Sequence, residues 1–355
     1  MVQQNQKDVR FSFDSSGLEV GQALQVVHFE GEEALSTLFK FDITLISESP
    51  DLDLVKILHG TASLTIRSVS GTRQARYHGV LSSFAQREQL SGHYVYQAVL
   101  VPRISRLQLE KTTEVYIEDQ PITKTLETIL KDHGFSYIDY RFAIKDASVY
   151  RNRSLVIQHQ ETTLDFMNRW LEKEGLYFHF EHPDEGPEQL QISDFKESLE
   201  PEKKRQAQFI QTANLTPLLL DDAVTQLNCR QKKLPKKVIV QDFNFRKASL
   251  GNGLKAEASV DDANGHGEVR ILGENLRDEK EAQRMAKIRS ELIQSESEVY
   301  DGESTAVGIR SGYRLVLEGH FRQSFNRTYT VSAVKHQGSQ AQALQIGLKD
   351  PWTGL

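Results

Sequence analysis

Cysteine is almost absent: Cys229 is the only one in 355 residues. That excludes an intramolecular disulfide framework and fits a reducing compartment. Nor is there an unbroken apolar run of about 18 residues, so no segment is expected to span a membrane. The N-terminal MVQQNQKDVRFSF has no apolar core of the kind a signal peptide carries, so export would need another machine. Basic charge is also short. The formal net charge of −6 speaks against a dedicated nucleic-acid binder, whose affinity rests on basic patches. Low-complexity tracts are missing, and 38% hydrophobic with 26% charged residues is ordinary for a folded chain. The length suits two or three domains.

Up to about residue 105 the pattern is β throughout. Strands are expected at Val9–Phe13, Ala23–Glu30, Leu38–Ser47, Ala62–Ser68, Arg76–Glu88 and His93–Val101. Phe39, Phe41, Ile43 and Leu45 alternate with polar or small neighbours, as do Leu64 and Ile66, which marks half-buried strands. Turn signals at Gly31-Glu32, Ser49-Pro50-Asp51, Ser70-Gly71 and Ser91-Gly92 break the runs. Short strands at such spacing predict a barrel or sandwich.

From about 106 the composition shifts toward α/β. Asp119-Gln120-Pro121 opens a helix with Pro near its first position, Leu126, Ile129 and Leu130 give it an apolar face, and His133-Gly134 closes it. After the strand-like Leu155-Val156-Ile157, Thr162 or Thr163 can cap a second helix. Leu164, Met167 and Leu171, with Phe166 and Trp170, leave one face of it almost wholly apolar. Burying such side chains is worth roughly 1.5–3 kcal/mol each. Asp165 and Arg169, four apart, can support each other in solvent, and Gly175 suits the left-handed position that ends a helix. Leu176, Phe178 and Phe180 then alternate with Tyr177, His179 and Glu181 as a half-buried strand. Beyond a polar stretch the chain turns β-rich again at Val238–Phe245, Ser304–Ile309, Tyr313–Leu317 and Tyr329–Val334. Between them a helix is expected over Glu274–Ile293, with Leu276, Met285, Ile288 and Leu292 apolar.

Chemistry-bearing residues are plentiful but not arranged. His179 and His182 stand three apart around Glu181, but the helix-borne zinc motif needs a four-residue step, and no Cys or third His is near. Ordinary surface or half-buried histidines are expected there. His28, His59, His78 and His159 are scattered, with no G-x-S-x-G elbow to partner them. Cys229 has no local His, so a buried or incidental thiol is expected. Asp51 and Asp53, like Asp221 and Asp222, sit where carboxylates cap and solvate loops. Gly251-Asn252-Gly253 and Gly265-His266-Gly267 fall short of a phosphate loop and read as turns. Lys203-Lys204-Arg205, Lys232-Lys233 and Lys236-Lys237 could form a patch for an acidic partner, but such runs are more often solvated loop faces. No catalytic, cofactor-binding or metal-binding residue is expected, and no cofactor.

Several blocks carry a family likeness. Leu164-Asp165-Phe166 and LEKEGLYFHFEH (171–182) resemble the D-F-(x)n-L-E-E-E-G-(I/L)-x-Y-x-F-E-H segment of VgrG proteins, the spike proteins of type VI secretion systems, which are related to the central hub of contractile phage tails. FKFDITLISESPDLDLVKILHGTASLTI, YHGVLSSFAQ, YQAVLVPRISRLQL, Asp242-Phe243-Asn244-Phe245 and GYRLVLEGHFRQSFNRTYTVSAVKHQG follow in the family's order, so the likeness spans roughly residues 10–338.

The resemblance implies a mainly β fold with α+β insertions: two related antiparallel β-barrel domains of phage-tail-hub type plus an α/β insertion domain. On this plan residues 1–105 form the first barrel, with 204–237 able to complete it, and 106–203 are the insertion. Residues 238–345 form the second barrel with the long helix, and 346–355 a tail. It further implies a homotrimeric ring of pseudo-sixfold symmetry that caps the hexameric Hcp tube. That ring would contact baseplate proteins, carry effectors or their adaptors, assemble in the cytoplasm and leave through the type VI apparatus, without nucleic acid or membrane insertion. In the family an oligonucleotide/oligosaccharide-binding-like domain and a β-helix needle normally follow the hub, whereas this sequence stops at KDPWTGL. A hub-only relative, or a hub portion cut at a domain boundary, is expected. The rival is a β-barrel module binding a glycan or peptide, which an exposed Trp- and Tyr-lined cleft would favour. A hydrolase would need a nucleophile within reach of a His in a pocket.

Overall fold

The computed structural model describes residues 10–90, 92–195, 204–211, 221–243 and 254–340. They divide into two compact units, residues 1–224 with 305–355, and residues 225–304.

In the first unit, six strands form β1 (Phe11–Ser15), β2 (Gln25–Ala34), β3 (Lys40–Ser47), β4 (Thr61–Arg67), β5 (Gln74–Leu90) and β6 (His93–Val101). They run β1-β4-β5-β6-β3-β2, all antiparallel, and Ser12 opposite Gln25 closes the ring. Closure leaves no edge inside the ring and turns one face of every strand inward. The alternation in β3 is realised there: Phe39, Phe41, Ile43 and Leu45 are fully buried with Leu64, Tyr77, Tyr96 and Leu100. Asp53 accepts from the backbone of Val55 and Lys56 at 3.1 and 2.9 Å and so caps α1 (Leu54–Leu58).

Gly31 is not the turn that Gly31-Glu32 suggests. It lies inside β2, opposite Phe41, and a Cβ there would stand 2.1 Å from the Phe41 ring. The position is glycine because an aromatic ring crosses it, and β2 therefore runs on to Ala34 instead of stopping near Glu30.

The insertion carries β7 (Lys111–Tyr116), β8 (Gln120–Pro121), α2 (Ile122–Asp132), β9 (Tyr140–Ala143), β10 (Asn152–Arg153), β11 (Val156–Thr162), α3 (Thr163–Glu174), β12 (Tyr177–Glu181) and β13 (Gln189–Ser193). β7 pairs with β11, β8 with β10, and β13 lies between β12 and β9, parallel to the latter. Leu126, Ile129 and Leu130 of α2 and Leu164, Phe166, Met167, Trp170 and Leu171 of α3 join the same buried cluster as the barrel, so both share one core. Thr162 is the cap of α3, accepting from Asp165 N at 3.1 Å, and Gly175 ends it at φ 71°.

Arg169 does not turn to Asp165. Its guanidinium takes Glu161 at 3.1 and 2.5 Å and the Ile157 carbonyl at 3.1 Å, a forked geometry across the strand–helix corner that an i,i+4 neighbour cannot match. The alternation of β12 also fails at one residue. His179 is buried like its neighbours, because Gly312 and Tyr313 of the returning chain cover the face expected to meet solvent.

β14 (Lys204–Phe209) then opens a second sheet, and β15 (Ala223–Gln231) begins beside it with Ala223 and Val224 parallel to Gln208 and Phe209.

The second unit takes the rest of β15, then β16 (Lys237–Asp242), β17 (Leu254–Ser259), β18 (Glu268–Leu272), α4 (Glu279–Gln294) and β19 (Glu298–Ser304). β16 is central, antiparallel to β17 and parallel to β18. Leu234, Val238, Val240, Leu254, Ala256, Leu276, Ala282, Met285 and Ala286 form its core. The helix expected from Glu274 begins five residues later, because Asp278 accepts from Glu281 N at 3.0 Å and fixes the start. Its buried stripe is Ala282, Met285 and Ala286, while Leu292, two turns beyond Met285 near the C-terminal end, lies 55% exposed. The strand expected at Ser304–Ile309 lies earlier, at Glu298–Ser304.

Back in the first unit, β20 (Arg314–Glu318) runs parallel to β14 and antiparallel to β21 (Thr328–Thr330). About a hundred residues separate β14 from β20, long enough for the crossover that a parallel pair needs. The run expected at Tyr329–Val334 is broken, because the chain changes sheets there. β22 (Ala333–Ser339) leaves β21 behind and lies antiparallel along β2, from Ala34 opposite Ala333 to His28 opposite Ser339. The mainly β class is borne out, with a closed six-stranded barrel, an open half-barrel and four α-helices among the described residues.

Candidate functional site

The returning chain meets the barrel at a buried polar cluster that no local stretch of sequence displays. At its centre is Glu33 of β2, 5% exposed. Its carboxylate accepts from Tyr77 Oη at 3.0 Å, from Ser311 N at 3.2 Å and from Ser311 Oγ at 3.1 Å, and His336 Nε2 lies 2.7 Å away. Four donors thus saturate one carboxylate, as burial of a charge demands. The same surroundings raise the Tyr77 phenol well above its usual 10.0, through burial first and then the charge of Glu33.

Arg310 supplies the opposite charge. It is 7% exposed, donates through Nη2 to the Arg76 carbonyl at 2.6 Å, and holds its guanidinium 4.6 Å from the Tyr77 ring centroid. His182, at the end of β12, packs against Phe39 and Tyr77 with ring centroids 5.1 and 5.0 Å away. Its Nδ1 accepts from His78 N at 3.0 Å, and the His78 ring reaches the Pro183 carbonyl at 3.0 Å. Burial, then Arg310 and His78, hold the His182 imidazole well below 6.5, and burial lowers His78 too.

The structure therefore joins His78 and His182, with His336 across Tyr77, but leaves His28, His59, His159 and His179 apart. His59 and His159 are exposed, and His28 stands 3.6 Å from Glu30. His179 and His182 occupy different surroundings, against Tyr313 and against Tyr77. Among the described residues, no group of three or more His, Cys, Asp or Glu is placed to hold a metal ion. Cys229 is half-buried, 3.8 Å from Glu298. Asp221 accepts from Val69 N and Ser70 N at 2.8 Å each, and Asp222 pairs with Arg73 at 3.1 Å and with Arg205, so both serve as loop ties.

Arg205 is consequently not a solvated loop cation. It is largely buried between Asp222 and the Val307 carbonyl, which it meets at 2.7 Å. Lys237 keeps to the surface with Glu257 at 2.9 Å, and Lys232 pairs with Glu296. Gly265 and Gly267 lie in turns, the latter at φ 81°. Gly251-Asn252-Gly253, Lys203, Asn244, Phe245, Ser91 and Trp352 lie outside the described residues. Glu33, Tyr77, Arg310, Ser311 and His336 were not legible as a group, since the partners of Glu33 stand 44 to 303 residues away.

The arrangement fastens the returning chain to the barrel: Glu33 of β2 is tied to Tyr77 of β5, to Ser311 and to His336 of β22. Comparison with known proteins agrees with a structural part. A family model described as phage tail baseplate hub (GPD) matches residues 32–342. The chain is 27% identical over 350 residues to the actin cross-linking toxin VgrG1 of Vibrio cholerae, covering 94% of this chain and 30% of that protein. It is 29% identical over 326 residues to the type VI secretion system spike protein VgrG5 of Pseudomonas aeruginosa, covering 90% of this chain and 39% of that one. It thus spans well under half the length of these curated relatives. Among solved structures, an Escherichia coli component of the type VI secretion system, described as similar to the T4 tail proteins gp27 and gp5, superposes with TM-score 0.67 at 20% identity, over 93% of this chain and 73% of that one. A tail protein of Neisseria meningitidis gives 0.60 at 11%, over 93% and 92%.

Proposed function

The chain belongs to the phage tail baseplate hub (GPD) family, and from that premise we propose that it is the non-enzymatic hub of a contractile injection machine of the type VI secretion kind. In this reading three copies form a ring that caps the hexameric Hcp tube, touches baseplate proteins and carries the spike with its effectors or their adaptors. The ring is assembled in the cytoplasm and leaves through the apparatus. The observation that carries the reading is the ordered hub match over residues 32–342 on a chain with a closed barrel and a half-barrel. Two β layers per chain in three chains make six similar positions, which lets a threefold ring meet a sixfold tube. The ligand-binding alternative has weaker support, since Trp170 is buried in the core and not presented in a cleft.

Light scattering across a concentration series, with and without purified Hcp rings, tests this. A mass near three chains that rises with concentration, and co-migration with the rings, are expected. A strict monomer at high concentration that ignores the rings would overturn the assembly and leave only the fold.

A further inference from the structure

The contacts that hold the returning segment, residues 305–339, to the barrel run through groups that answer to acid. β2 contributes Glu33 and β5 contributes Arg76, Tyr77 and His78. His182 comes from the end of β12 with Asp184 just beyond, Arg310, Ser311 and Tyr313 come from the stretch before β20, and His336 from β22. We propose that this cluster is an acid-sensitive latch: protonation of His182 releases residues 305–313 and β22 from the barrel, while the ring of six strands stays closed.

The geometry of His182 carries the argument. Its Nδ1 accepts the His78 backbone N–H, so in the neutral ring the proton sits on Nε2, which is buried and meets no acceptor. A second proton has to go on Nδ1, where the His78 N–H already points. Taking it up breaks that bond or turns the ring. The new charge also faces Arg310 and the His78 ring, whose centroid is 6.4 Å away, and among the described residues no carboxylate is paired with it. Glu33 is the cluster's buried carboxylate, and its donors already fill it. The His336 ring, by contrast, stands against the Glu33 carboxylate, with Nε2 at 2.7 Å. His182 has no such partner, so its protonation decides the sign.

Burial and the neighbouring Arg310 hold the folded imidazole well below its ordinary 6.5. Unfolding or opening therefore takes up a proton: the latch is fully stable above about 6.5 and weakens as pH falls below it. The strain lands on the returning segment because Arg310, Ser311 and His336 all belong to it. Barrel closure, at Ser12 opposite Gln25, uses none of these side chains, and β22 is an addition outside the ring.

Hydrogen exchange of the whole chain at about pH 7.5 and about pH 5.5, corrected for intrinsic rates, reads the latch directly. Amide protection over 333–339, and at the His78 amide whose bond to His182 is broken, is expected to fall about tenfold at the lower pH, one unit below the ordinary imidazole value, while β4 and the rest of β5 keep theirs. His182→Gln offers the His78 N–H a neutral acceptor and is expected to flatten this dependence. Unchanged protection at 333–339 in the native chain, equal loss in the barrel, or native pH dependence in His182→Gln would each overturn the latch. Should that variant not fold, NMR titration of His182 in the native chain decides. A midpoint below 6.5 that tracks the loss of protection is expected, and one at or above 6.5 overturns it.

Discussion

Helices α3 and α4 begin alike and pack differently. Each is started by a side-chain oxygen, Thr162 for α3 and Asp278 for α4. α3 then buries Phe166, Met167, Trp170 and Leu171 in a core it shares with the barrel. Arg153 closes the end of that face, 4.9 Å over the Trp170 ring and paired with buried Glu174 at 2.7 Å. α4 buries Ala282, Met285 and Ala286 on a small sheet of its own unit. Large side chains remove much apolar area from water per residue, whereas small ones let a helix approach a sheet closely but contribute less each. The difference shows that a similar amphipathic period can mark a cornerstone or a thin cover, depending on side-chain volume.

Replacing Trp170 with Ala should have the largest effect. Emptying that site costs about 3–5 kcal/mol, seen as a large drop in melting temperature. A melt unchanged within about a degree would show that α3 is no cornerstone. Met285→Ala should do less, about 2 kcal/mol, because a methionine side chain removes less apolar area from water than an indole. Exchange protection in β16 and β17 measures it, and a loss as large as that from Trp170→Ala would erase the contrast. Smallest of all is Lys237→Ala. Its partners Glu257 and Glu268 lie at 2.9 and 3.6 Å on an exposed strand face, where ion pairs add little net stability. Its urea midpoint should not move, and a clear shift would mean that the surface of the second unit carries weight its core does not.

Several local features were legible because their causes are local. The alternation of Phe39, Phe41, Ile43 and Leu45 named the inward face of β3, and all four are buried. Thr162 and Gly175 bound α3 as a cap and a left-handed stop must. Where the reading missed, a distant segment had intervened. Gly31 looked like a turn until Phe41 came to lie across it, and His179 looked half-exposed until Gly312 and Tyr313 covered it. Leu292 fitted the helical period but is 55% exposed near the end of α4, where Ile293 packs against the core in its place.

The sequence by itself determined the inward face of β3, the start and stop of α3, and, through blocks kept in order, the hub family. Each is set by neighbours within a few residues or by the order of such blocks. Only the tertiary structure decided that the barrel closes through Ser12 and Gln25, that β22 returns to β2, and that Glu33 meets Tyr77, Ser311 and His336. Periodicity reports that a face will be buried, not against what. A charge such as Glu33 is tolerated inside only after closure has brought its donors from up to 303 residues away.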